Sequence, residues 1–105
     1  MGPLSKEQVD AFWRDGYVMM ADAVSANDLV DLRAAVAGWV EESRGHSGPW
    51  GETMDHRPRF DVQPGHSVDL PALRRVASPQ EVCQAHLRVM RDSPLVDAAA
   101  QVIGP

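Results

Sequence analysis

The segment at residues 44–71 constrains the fold most strongly, because hydrophobic periodicity is clear on both sides of it and collapses within it. Seven glycines and prolines interrupt the segment before it ends at Pro71: Gly45, Gly48, Pro49, Gly51, Pro58, Pro64 and Gly65. Loops longer than about 12–15 residues are uncommon in small domains and usually cover or bind something. We therefore expect an irregular, lid-like loop at 44–71, with an isolated strand at 59–62 inside it and another strand at 72–76.

Two helices are expected before this loop. Ser5 is placed to cap the first, Gln8 three residues later completes a capping box, and Gly16 is suited to end it. Ser25 is the cap of the second helix, in which apolar residues recur at steps of three and four. This stripe is expected to face the core; its members are Leu29, Leu32, Val36, Trp39 and Val40. The helices are predicted at about 5–15 and 25–43.

A short apolar run, Tyr17–Met20, follows the first helix. It is rich in strand-forming residues and is too short for a helix, so it predicts a buried strand.

Two more helices are expected after the loop. Ser78 is a candidate cap for the third, with Pro79 at its first position and Glu81 at its third. Ser93 followed by Pro94 begins the same pattern again, and Gly104 with Pro105 would end the fourth helix. The sequence predicts helices at about 79–91 and 94–103.

The composition argues against a nucleic-acid-binding, membrane-spanning or disulfide-rich protein. The 105 residues amount to a single small domain, and 15 acidic against 10 basic side chains leave no basic face for nucleic acid. No apolar run is long enough to span a membrane, and no signal peptide is evident. Cys83 is the single cysteine, which excludes a disulfide framework and a cysteine-based zinc site. We expect a cytoplasmic protein without nucleic-acid or membrane partners.

The loop holds the residues that could carry chemistry. Its candidate metal ligands are His46, Asp55, His56, Asp61, His66 and Asp69. An iron site of two histidines and one carboxylate typically places one histidine two residues from the carboxylate, and no His-x-Asp occurs here. We therefore expect no metal site and assign no catalytic residue within this chain.

A binding role is the remaining possibility for the loop. Arg57 and Arg59 flank Pro58, beside His56 and Phe60, and two guanidinium groups near an aromatic ring can clamp a carboxylate or phosphate. The alternative is structural: the arginines pair with Asp55 and Asp61, and Phe60 anchors the loop to the core. The candidate substrate or lid residues are His56, Arg57, Arg59, Phe60 and His66.

Several segments resemble the N-terminal part of the phytanoyl-CoA dioxygenase family. The opening match covers Leu4–Val9, Phe12–Val18, Val24-Ser25 with Leu29, and Leu32-Arg33. A second match resembles one bacterial branch of that family and covers Arg57–Asp61, Pro64–His66, Leu73–Val76, Val89–Ser93 and Ile103–Pro105. Together the matches span nearly the whole chain.

The resemblance implies an α+β fold: the outer helices and first strand of a double-stranded β-helix, or jelly roll, mostly helical in this segment. It implies an enzyme that uses Fe(II) and 2-oxoglutarate to hydroxylate a small molecule or an acyl thioester. In this family the His-x-Asp pair, the distal histidine and the 2-oxoglutarate-binding arginine all come later than the Ile103–Pro105 match. None can be assigned to a residue here, so the chain alone is expected to be inactive and to bind neither cofactor.

Two further interpretations stay open. The chain could be a short, non-catalytic helical interaction module derived from that fold, pairing with another chain or with itself. A symmetric dimer could instead build a metal site from the loop histidines. The first interpretation, an N-terminal segment of a dioxygenase packed against the remainder of its catalytic domain, is the one we favour.

Overall fold

A computed structural model describes residues 2–104 of the chain. Within that range it is an α+β structure with four α-helices and one small antiparallel sheet. The elements are α1 (Lys6–Asp15), α2 (Ala26–Ser43), β1 (Trp50–Glu52), β2 (Pro58–Val62), β3 (Leu73–Val76), a 3-10 turn (Pro79–Glu81), α3 (Gln84–Asp92) and α4 (Pro94–Ile103).

The capping signals of the first two helices are confirmed. The Ser5 hydroxyl accepts the Gln8 backbone N–H at 3.1 Å, and the Gln8 side-chain oxygen accepts the Ser5 N–H at 2.8 Å. Gly16 ends α1 with a φ of 86°, a left-handed conformation that glycine adopts without strain. Ser25 caps α2 by accepting the Asp28 N–H at 3.1 Å. These boundaries depend on neighbouring residues alone, which is why the sequence indicates them well.

The third predicted helix, at 79–91, is wrong in its first turn. Ser78 has a φ of 49° and makes no side-chain capping bond, so it does not act as an N-cap. Pro79–Glu81 form a separate 3-10 turn, and α3 begins only at Gln84, after an extended Cys83. The fourth helix is confirmed at Pro94–Ile103, where Ser93 accepts the Leu95 N–H. Pro105, expected to help end it, lies outside the described residues.

The buried strand expected at Tyr17–Met20 is also wrong. These residues belong to no strand, and the exposed fractions of Tyr17 and Met19 are 66% and 80%. The physical reason is the lack of a partner, because no strand within residues 2–104 lies alongside the segment to satisfy its backbone groups.

The irregular loop expected at 44–71 contains most of the sheet. β1, β2 and β3 form an antiparallel sheet in chain order, so the strand expected to be isolated at 59–62 is the central one. Trp50 lies opposite Phe60, and Phe60 lies opposite Val76, with an irregularity in register between Asp61 and Val62. These strands have three to five residues, too few for an alternating pattern to stand out.

The elements pack in series rather than around one centre. The sheet packs on α2 through β3, α2 on α3, α3 on α4, and α4 on α1. The radius of gyration is 17.1 Å, whereas a compact chain of this length has about 13 Å. The overall dimensions are 48 × 28 × 26 Å.

The core is correspondingly small. Its buried apolar residues are Leu4, Phe60, Ala85 and Ala98. The α2 stripe expected to face the core is partly uncovered, since Leu29 is 38% and Val36 47% exposed. Within residues 2–104 the main neighbours of α2 are α3 and the sheet, and part of the stripe lies beyond both.

One side chain joins the N-terminal segment to α4. The Gln101 amide accepts the Leu4 backbone N–H at 2.9 Å and donates to the Leu4 carbonyl at 2.7 Å. It therefore substitutes for a β-ladder partner and satisfies both polar groups of a buried residue. This contact links α1 to the last helix across nearly the whole length of the sequence.

Candidate functional site

The predicted site residues all lie on or beside the three-stranded sheet. Arg59 and Phe60 belong to β2, His56 and Arg57 lie in the turn between β1 and β2, and His66 follows β2. The structure brings them into one region, but it divides them into side chains that point into the fold and side chains at its surface.

Arg59 is directed into the fold and is 5% exposed. One terminal nitrogen donates to the carbonyls of Ala77 and Ser78 at 2.9 and 2.7 Å. The other donates to the Glu52 carbonyl at 3.2 Å and to a Glu81 carboxylate oxygen at 2.7 Å. The expected pairing of Arg59 with Asp61 is therefore wrong, and the guanidinium instead joins β1 to the 3-10 turn.

The sequence predicts Glu81 only as the third residue of a helix. Its carboxylate accepts the Met54 N–H at 3.0 Å as well as the Arg59 guanidinium. The Met54 amide, together with Arg59, holds the pKa of Glu81 below its usual value. No local signal marks this contact, because Glu81 lies 22 residues from Arg59 in the chain.

Arg57 and His56 are at the surface. Arg57 donates to Asp55 at 2.8 Å, as the structural alternative expected, with both side chains more than 60% exposed. His56 has a φ of 65°, and its Nδ1 lies 2.8 Å from a Glu52 carboxylate oxygen with 83% of the side chain exposed. The Thr53 hydroxyl fixes this turn by bonding to Asp55 and by accepting the Arg57 N–H.

Phe60 lies within a column of rings that we call the aromatic column. Trp50 is stacked on Phe60 with centroids 4.7 Å apart, and His46 is stacked on Trp50 at 4.1 Å. On the other side Trp39 lies 6.1 Å from Phe60 and 5.8 Å from His86. Phe60 thus attaches the sheet to α2, as the structural alternative expected.

His66 connects the end of α2 to the approach to β3. Its Nε2 donates to the carbonyls of Ser43 and His46 at 2.9 and 3.0 Å, and its Nδ1 accepts the Ala72 N–H at 2.8 Å. This set of partners requires the neutral ring with its proton on Nε2. Both nitrogens are occupied, so His66 holds the loop in place.

Asp61 is a buried acid on β2 and lies opposite Arg75. It accepts the Val62 N–H at 2.8 Å and pairs with Arg74, with Arg75 at 3.6 Å. The Val62 amide is the main cause of a pKa below the usual value, and Arg74 and Arg75 add to it. The arginines of β2 and β3 are therefore paired with acids: Arg59 with Glu81, and Arg74 and Arg75 with Asp61.

Two cavities lie near the sheet and the helices, and neither is lined by a set of side chains suited to catalysis. A small one of about 140 Å³ is lined by Arg57, Pro58, Arg75 and Ala77, whose two guanidinium groups already face Asp55 and Asp61. A larger cavity of about 370 Å³ lies between α1 and α4 and is lined almost entirely by apolar side chains.

The residues present do not suit a metal ion. In the part of the chain that the structure describes, no three histidine, cysteine, aspartate or glutamate side chains converge closely enough to hold one. Asp61 and His66, two of the candidate ligands, are both occupied by other partners.

No helix within residues 2–104 is long and apolar enough to cross a membrane.

Comparison with known proteins adds no assignment: no protein-family model, no curated protein and no solved structure matches the chain.

We predict that Arg59→Met lowers the midpoint of urea denaturation markedly, whereas the matched control Arg57→Met leaves it nearly unchanged. The first substitution removes the donor from three carbonyls and leaves Glu81 without its cation. The second removes an exposed pair, which contributes little to stability. Equal shifts in the two variants would contradict the structural role of Arg59.

We also predict loss of stability in acid. Because the folded-state pKa values of Asp61 and Glu81 lie below their usual values, their contribution is complete above about pH 5 and is lost as the pH falls below about 4. Asp61→Asn and Glu81→Gln should each flatten the dependence of unfolding free energy on pH between about 5 and 3. The control Asp69→Asn changes an exposed residue and should keep the wild-type slope; a slope unaltered in all three would refute the assignment.

Proposed function

We propose that this chain is the N-terminal helical part of an Fe(II)/2-oxoglutarate-dependent dioxygenase of the phytanoyl-CoA dioxygenase family, which hydroxylates a small molecule or an acyl thioester. Its helices form the outer layer of a double-stranded β-helix, and the metal ligands are supplied by sequence outside these 105 residues. The resemblance of the opening segment and of residues 57–76 supports the family.

The observation that carries the proposal is the amount of surface left exposed. The accessible surface is 7323 Å², about 1,500 Å² more than the roughly 5,800 Å² of a compact monomer of this mass. Large apolar side chains contribute to it, including Trp13, Tyr17, Met19, Leu70 and Ile103, each at least 66% exposed. Apolar surface on this scale is normally covered by another layer of structure.

The predicted site residues take two roles in this proposal. Arg59, Phe60 and His66 hold the β1–β2 hairpin against α2 and the 3-10 turn, since their polar groups and rings are engaged inside the fold. His56 and Arg57 lie at the exposed turn of the hairpin, where they would exchange the exposed carboxylates of Glu52 and Asp55 for a substrate. The β1–β2 hairpin would then act as a lid over the substrate, held in position by the contacts of Arg59, Phe60 and His66.

Fe(II) and 2-oxoglutarate belong to the parent enzyme in this proposal. The described residues offer no converging ligand set, so no step of the reaction is assigned to them. What this chain contributes is a covering layer and a hairpin with one arginine exposed at its tip.

The same exposed surface also favours a second candidate, a non-catalytic interaction module of 105 residues whose apolar faces bind another protein. This candidate needs neither iron nor 2-oxoglutarate. It predicts a native product of 11.5 kDa that is isolated with a partner.

The test is to express the native gene in full, to measure the intact mass of its product, and to add Fe(II) and 2-oxoglutarate without oxygen. We expect a mass well above 11.5 kDa and the visible absorption band of 2-oxoglutarate chelated to Fe(II). Zinc in place of iron is the control and should give no band. A product of 11.5 kDa, or a larger one without the band, would contradict the proposal.

A further inference from the structure

The segment Gln63–Ala72, which we call the β2–β3 loop, connects the two longest strands of the sheet. Its two ends are joined by one backbone bond, in which the Gln63 N–H donates to the Ala72 carbonyl at 2.9 Å. The His66 N–H donates to the Gln63 carbonyl at 3.1 Å and turns the chain back toward α2. Few hydrogen bonds within the loop hold its shape, so its contacts with the rest of the fold decide whether it stays closed.

Two side chains attach the β2–β3 loop to the end of α2. The Arg44 guanidinium donates to the Val68 carbonyl. The His66 Nε2 donates to the carbonyls of Ser43 and His46 at 2.9 and 3.0 Å. Ser43 is the last residue of α2 and is fully buried. The His66 ring is therefore inserted between the loop and the helix end.

The second nitrogen of this ring depends on the absence of a proton. The His66 Nδ1 accepts the Ala72 N–H at 2.8 Å. An imidazole nitrogen can accept a hydrogen bond only while it carries no proton, whereas Nε2 donates in the neutral and in the charged ring. A proton on Nδ1 would place two N–H groups face to face across this distance. The bond to Ala72 thus requires the neutral ring, and the bonds to the end of α2 do not.

No acidic side chain compensates for the loss of that bond. The charged or titratable side chains on the end of α2, in the turn after it, in the loop and on the adjoining strands are Glu41, Glu42, Arg44, His46, Asp61, Asp69 and Arg74. Within residues 2–104 none of these side chains forms a hydrogen bond or ion pair with the His66 ring. The acids of α2 and β2 are engaged by Arg44, by the Trp50 indole and by Arg74. A second proton on the ring therefore gains no carboxylate partner, and the Arg44 cation on the same loop opposes it.

We propose that His66 is a pH-sensitive latch: its neutral ring holds Ala72 and keeps the β2–β3 loop closed on α2, and a proton on Nδ1 in mildly acidic solution opens the loop. Histidine side chains in water take up this proton at about pH 6.5. The open loop binds a proton that the closed loop excludes, so the closed form is favoured above about pH 6.5 and loses stability as the pH falls below it. The inference goes beyond the proposed function and does not depend on it.

The experiment is residue-resolved amide hydrogen exchange on the native gene product at about pH 7.5 and about pH 5.5, with each rate divided by that of an unstructured peptide at the same pH. We expect the protection of the Ala72 N–H to fall about tenfold from the higher to the lower pH. The Gly16 N–H is the internal control, because it donates to the Phe12 carbonyl at 2.8 Å and that acceptor does not titrate. Its protection should stay the same.

Three variants identify the group that senses the proton. His66→Asn places an amide oxygen near the position of Nδ1 and does not titrate, so it should protect Ala72 equally at both pH values. His66→Gln extends its amide toward the position of Nε2 and leaves Ala72 without an acceptor, so protection should be weak at both. The matched control His56→Asn changes an exposed histidine whose φ of 65° asparagine tolerates, and it should keep the tenfold fall.

Either of two exchange results overturns the inference. One is a protection of Ala72 in the wild type that does not change with pH, and the other is a tenfold fall that persists in His66→Asn, because another group then senses the proton. If a variant fails to fold, the nitrogen NMR signals of the wild-type His66 ring at about pH 7.5 decide. A proton on Nε2 and none on Nδ1 is expected, and a proton on Nδ1 overturns the latch.

Discussion

The small size of the sheet governs the rest of this structure. Three strands of three to five residues can cover only one helix, and the sheet packs on α2 through β3. The remaining helices must then pack on one another in series, which gives the elongated shape and the small core. Because the free energy of folding comes mainly from apolar burial, a chain built this way relies on specific polar contacts or on a covering layer.

Those polar contacts are concentrated around β2. Arg59 carries one buried guanidinium to β1, to the end of β3 and to the 3-10 turn, so three parts of the chain meet at one side chain. Phe60 on the same strand provides the apolar attachment to α2 through the aromatic column. His66 then fixes the end of α2 to the approach to β3. These contacts hold the base of the β1–β2 hairpin in place, while Arg57 and His56 at its turn remain exposed.

The sequence predicts those parts of the fold that are decided within a few residues. Ser5 with Gln8, Ser25 with Asp28, and Gly16 are local signals, and the helices that they delimit are found as expected. Ser78 carries the same kind of signal and fails: its φ is 49°, its side chain makes no capping bond, and its carbonyl accepts a hydrogen bond from Arg59. A contact across 19 residues cannot be inferred from capping preferences.

The candidate site shows the same limit. Proximity in sequence suggested that Arg59 pairs with Asp61, since alternate residues of a strand share a face, but each side chain is held by a partner from another part of the chain. Asp61 is matched by Arg74 and Arg75 of β3, and Arg59 by Glu81. Tyr17–Met20 is the reverse case: its strand-like composition is real, but residues 2–104 hold no strand beside it. A strand forms only where another strand satisfies its backbone.

The central claim is that the apolar surface around Tyr17–Met20 is covered in the native gene product. The most direct measurement is the rate at which dilute hydrogen peroxide oxidises the Met19 thioether in the native gene product, compared with the same product unfolded in urea. Met19 is 80% exposed in this chain, so only a covering layer can slow the reaction. We predict that Met19 oxidises at least about tenfold more slowly in the folded product, as side chains buried beneath another layer do. Oxidation at the rate of the unfolded protein would show that the surface is open and would contradict the account.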